Sequence, residues 1–94
     1  MHVLRAIPGY DMELIEIDGS VASMQAELGG GYSLTHMSRT VGVAYNPAAQ
    51  ALGMPYNRRY NGDTFFGTFL VIGLAGEDIA ELIKDPKVRE WVLA

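Results

Sequence analysis

Apolar residues recur along this chain with two different spacings. The two-residue spacing comes first. In "HVLRAIP", residues 2 to 8, Val3 and the flanking apolar residues suit a strand that Pro8-Gly9 then closes. "ELIEID" follows, with Leu14 and Glu16 on one face and Ile15 and Ile17 nearer the other. The connection between the two runs is too short for a parallel crossover, so they are expected to pair as a hairpin.

From Ser20 the spacing becomes helical, with Val21, Met24 and Leu28 in one set. Ser20 can cap the start, and Gly29-Gly30-Gly31 can end a helix of about ten residues. "YSLTHM" and "TVGVAYN" are both β-prone and flank Ser38-Arg39, which predicts a second hairpin. Pro47 can start a short helical turn from Ala48 to Leu52, ended by Gly53, before Pro55 imposes extended geometry.

"YNRRYNGDTFFGTFLVIGLA" then predicts a strand, a tight Asn61-Gly62 turn and a long strand from Thr64 to Leu74. Its "FFGTFLVIG" run is apolar on both faces, which suits a central strand. At the C-terminus Ile79, Leu82 and Ile83 form one helical set and Val88, Trp91 and Val92 another. Pro86 lies between them and suits the first residue of a new helix after Asp85. The order β-β-α-β-β-β-β-α predicts one α+β domain over residues 1–94, with a mainly antiparallel sheet and helices packed on one face.

Composition narrows the function classes. Ninety-four residues hold one modest core, and 49% are hydrophobic against 19% charged, which favours burial against further copies in a homo-oligomer. The net charge of −4 repels nucleic acid, so no DNA or RNA partner is expected. Without cysteine there are no disulfides, thiolate metal sites or thiol nucleophiles. No apolar run approaches the roughly 20 residues of a membrane span, so no membrane partner and a cytoplasmic location are expected.

Candidate catalytic groups are sparse. His2 and His36 have neither triad spacing nor the helical spacing of a metal pair, and His36 in an alternating strand reads as structural. The Gly29–Gly31 run follows a helix instead of preceding one, so it suits a C-cap better than a phosphate cradle. No catalytic residue, metal or cofactor is assigned. "YNRRYN" is richer: Tyr56 and Tyr60 offer rings for stacking, Asn57 and Asn61 amides, Arg58 and Arg59 guanidinium forks. In a strand the two arginines face opposite sides, so at most one enters a given pocket.

"MQAELGGGYSLTHM", "VGVAYNPAAQALGMPYNRR" and "GDTFFGTFLVIG" together resemble a family of short, uncharacterised domains encoded mainly by bacteriophages, plasmids and integrative elements. The likeness covers roughly residues 3 to 75. It marks Gly30, Gly31, Tyr32, Asn46, Leu52, Gly53, Pro55, Asn57, Arg58, Gly67, Thr68 and Gly73 as a shared framework, and implies no catalytic residue. Thr35 departs from the acidic residue common at that point of the family, and Met54 from an aliphatic one.

The expected function is that of a non-enzymatic homo-oligomer that sequesters a small anionic, nucleotide-derived immune signal in a host cytoplasm. Its expected ligand-binding residues are Tyr32, Asn46, Tyr56, Asn57, Arg58, Arg59 and Thr68. Arg58 would neutralise phosphate, Asn57 and Asn46 would hydrogen-bond base or ribose, and Tyr32 or Tyr56 would stack. The alternative is an inhibitor of a host defence enzyme acting through Glu77, Asp78, Glu81, Asp85 and Glu90.

Overall fold

The computed structural model describes residues 1–94 and contains seven strands and three helices. In chain order they are β1 (His2–Ala6), β2 (Glu13–Glu16), α1 (Val21–Leu28), β3 (Ser33–His36), β4 (Val41–Tyr45), β5 (Tyr56–Tyr60), β6 (Asp63–Phe66), β7 (Phe69–Gly73), α2 (Ile79–Leu82) and α3 (Pro86–Val92). Both expected hairpins form: β1 pairs antiparallel with β2, and β3 with β4. β7 runs between β1 and β4 and joins them into one antiparallel sheet of order β2-β1-β7-β4-β3. That central place fits a strand in which Phe69, Leu70 and Val71 are all fully buried.

The α+β class and the antiparallel sheet therefore match the sequence pattern, and so does the break at Pro86. Asp85 caps α3 through its Oδ1, which accepts from the Lys87 N–H at 2.9 Å. Ser20 caps α1 in the same way, accepting from the Ser23 N–H at 3.0 Å, and Gly29 closes that helix with φ +74°.

Two features differ from the pattern. The run from Thr64 to Leu74 is two strands: Gly67 takes φ +68° and donates its N–H to Pro55 O, so the chain changes direction between β6 and β7. That positive φ favours glycine, and a Cβ there would also have to displace the flexible Met54 side chain, whose sulfur would stand 2.7 Å away. β6 pairs with β5 across the Asn61-Gly62 turn, as that turn predicts, but the two make a two-stranded ribbon separate from the main sheet.

The helices also divide between the two faces of the sheet. Alternation along β7 sends Phe69 and Val71 to one face, where Ile79 of α2, Val92 of α3 and the ribbon residues Tyr60 and Phe65 cover them. Leu70 and Ile72 point to the other face, against Met24 and Leu28 of α1. A strand apolar on both sides needs two covers, and one face could not have received every helix. No helix is long and apolar enough to cross a membrane.

Candidate functional site

The NRRY segment builds a brace. A bulge between Tyr56 and Arg58 releases Asn57 from regular pairing and turns its side chain inward. The Asn57 amide donates to Ala6 O and to Gly67 O, both at 2.8 Å, tying β5 to the end of β1 and to the bend before β7. Arg58 donates from Nε to Asn57 Oδ1 at 2.7 Å, and from one terminal nitrogen to Ile7 O at 3.1 Å and Tyr10 O at 2.6 Å. Its guanidinium also lies 6.0 Å from the centre of the Phe69 ring. The guanidinium thus holds the β1–β2 loop against the ribbon through backbone carbonyls.

Asn46 is buried and satisfied as well. Its amide nitrogen donates to Leu28 O at 3.2 Å, at the end of α1, and its Oδ1 accepts from the Ala48 N–H at 2.9 Å, which starts the turn after β4. Tyr32 packs half-buried beside Met24 and Leu28 on the face opposite the ribbon. Thr68 lines a separate hollow of about 260 Å³ between Pro8, Met54 and the end of α1. The seven expected residues are therefore not gathered into one site.

One of them, Asn46, lines a groove, and Tyr56 stands at its rim. A cavity of about 400 Å³ lies between β6 and the segment that follows β4, lined by Tyr45, Asn46, Pro47, Gln50, Phe65 and Phe66. A second of about 320 Å³ continues along β6 over Thr35, Tyr45 and Asp63. Thr64 and Phe65 belong to both, so the two form one trough along the strand. Tyr45 meets Phe65 edge-on at 5.5 Å, and Tyr56 meets Phe66 edge-on at 5.8 Å at the rim. Arg59 is exposed, sits opposite Thr64 in the ribbon, and is not among the residues that line either cavity.

Only one signal in the sequence pointed there. Thr64 and Phe66 share a face by alternation, but reading residues 64 to 74 as a single strand hid the open edge that they present. No group of three or more His, Asp or Glu side chains converges as metal ligands do. The acidic C-terminal segment is partly engaged within the chain. Asp78 accepts from the His2 and Ala80 N–H groups, which holds its carboxyl below the usual range, while Asp85 caps α3 and Glu81 pairs with Lys84 at 3.0 Å.

The chain matches the model of a family described as "Domain of unknown function (DUF3846)" over residues 1–91. It belongs to that family. No curated protein and no solved structure matches it.

Proposed function

We propose that the domain is a non-catalytic binding protein whose ligand lies in the trough along β6. The observation that carries this is the trough itself: a partly apolar concavity of about 400 Å³, within the range of ligand sites, with aromatic walls and a few polar groups. Its polar lining holds no histidine and a single carboxylate, Asp63, so neither a His-based relay nor a pair of carboxylates stands there.

Of the two ligand classes expected from the sequence, a protein partner is the better supported. Arg58 and Asn57, the groups expected to hold a phosphate and a base, are bonded to backbone carbonyls, and no Lys or Arg lines the trough. Asp63 is the one charged residue in the lining, and it disfavours an anion. The partner docks at the trough and not on the C-terminal helices, where capping and pairing engage Asp78, Asp85 and Glu81. An origin in phages or other mobile elements, as the sequence resemblance implies, makes that partner a host protein.

The test is a nitrogen-15 NMR titration of the whole chain with two probe sets, AMP with cyclic nucleotides and a library-selected ten-residue peptide. The expected result is saturable shifts of the Gln50, Thr64 and Phe66 amides with at least one probe. If neither set moves those three signals, the trough is not a binding site.

A further inference from the structure

The edge of β6 that faces the trough has no strand on it. Building on the binding role assigned above, we propose that the trough takes an extended peptide of a partner protein, which adds to β6 as a third, antiparallel or parallel strand of the ribbon. The pairing pattern shows which groups are offered. Tyr60 and Asp63 flank the two-residue turn as a mutually hydrogen-bonded pair, and the next pair, Arg59 and Thr64, is not. Gly67 again points inward, donating to Pro55 O at 2.7 Å. Asp63, Phe65 and Gly67 therefore direct their backbone groups toward β5, while Thr64 and Phe66 direct theirs outward into the trough. An unpaired edge of this kind is a template for a further strand.

A lone strand needs only the open edge and the surface beneath it. Thr35 of β3 and Tyr45 of β4 form the floor beneath the open edge. A free peptide brings no second layer. Its alternate side chains find different surroundings: one set faces the floor with Tyr45 and Phe65, and the other lies on the outer face with Thr64, Phe66 and Arg59. Asp63 is the only charged lining residue, so a Lys or Arg at the peptide position beside it is favoured, which sets register more than affinity.

Selection of ten-residue peptides from a displayed library against the whole immobilised chain tests this. Enriched sequences are expected to contain a basic residue at a fixed distance from one or two apolar ones. Binding of the best peptide is expected to weaken about tenfold in Thr64→Pro, which removes an outward N–H that the ribbon does not use, and to stay unchanged in Thr64→Val. Should Thr64→Pro lose its fold by circular dichroism, N-methylation along the peptide gives the same answer, with loss of binding at alternate positions only. Uniform tolerance of N-methylation, or failure of the library to yield a binder, overturns strand addition. Nucleotide-induced shifts at Thr64 and Phe66 with no peptide binder would leave the trough a binding site and remove only its peptide ligand.

Discussion

Arg58 illustrates how one residue type supports two opposite expectations. A guanidinium among tyrosines and asparagines has the chemistry of a phosphate fork. Here its donors meet Ile7 O, Tyr10 O and Asn57 Oδ1, so its energetic role is to satisfy loop carbonyls and fasten the β1–β2 connection. Arg58→Ala is expected to cost about 2 to 4 kcal/mol, since several hydrogen bonds to a charged donor are lost together. For a domain of this size that lowers the melting temperature by roughly 10 °C or more. Arg59→Ala, at an exposed position, is expected to stay within about 0.5 kcal/mol of the parent. Equal melting temperatures for the two variants in calorimetry would refute the bracing role.

At the scale of elements, how closely the chain folds over itself was not legible in the sequence. Gly73 ends β7 without any turn motif to mark it, yet a Cβ there would stand 1.8 Å from Glu77 O, where the segment entering α2 crosses back over the strand. The obstacle is backbone, so it cannot rotate away as a side chain could. Gly73→Ala is expected to destabilise by at least about 3 kcal/mol. Denaturant unfolding that gives a loss below 1 kcal/mol would show that the crossing relaxes freely. Element positions, by contrast, were readable: Ser20, Gly29, Asn61-Gly62 and Asp85-Pro86 mark ends or turns by local chemistry, and each is found at one. The division of residues 64 to 74 into two strands was not readable. Gly67 bends where its N–H meets Pro55 O, a partner from another part of the sequence.

At the scale of the molecule, Tyr60 links the ribbon to the C-terminal helix. Its ring packs against Phe69 with centroids 5.3 Å apart, and its hydroxyl donates to Val92 O at the end of α3. Burial pushes its pKa up to about 12, against a smaller opposing effect of the Arg58 charge. An acid with a raised folded pKa stabilises fully below its ordinary value near 10, and that contribution is lost as the pH rises toward the folded value. Unfolding free energy is therefore expected to fall by about 2 to 3 kcal/mol between pH 10 and 12. Tyr60→Phe is expected to lose about 1 kcal/mol at neutral pH with its hydrogen bond, and to show a shallower alkaline decline. Parallel alkaline curves for the two proteins would contradict this. At the acid end Asp18 acts with the opposite sign: hydrogen bonds from Ser20 lower its pKa to about 2, so its contribution is present above the ordinary carboxylate range and fades as the pH falls toward 2.

Part of the apolar fraction has a place within one chain, while Tyr10, Leu14, Val21, Leu34, Leu52, Tyr56 and Trp91 stay exposed. Because β1, β4 and β7 are covered on both faces, Val3, Leu4, Val41, Val43, Leu70 and Val71 are all buried without a second copy. The sequence by itself determined the class of fold, the hairpins, the caps and the central strand, because alternation, helical spacing and turn residues act over a few neighbours. Tertiary structure alone decided the number of faces covered, the inward turn of Asn57 and Arg58, and the open edge of β6. Those depend on which distant backbone atoms arrive beside a side chain, and a donor's partner fifty residues away leaves no mark on the residues next to it.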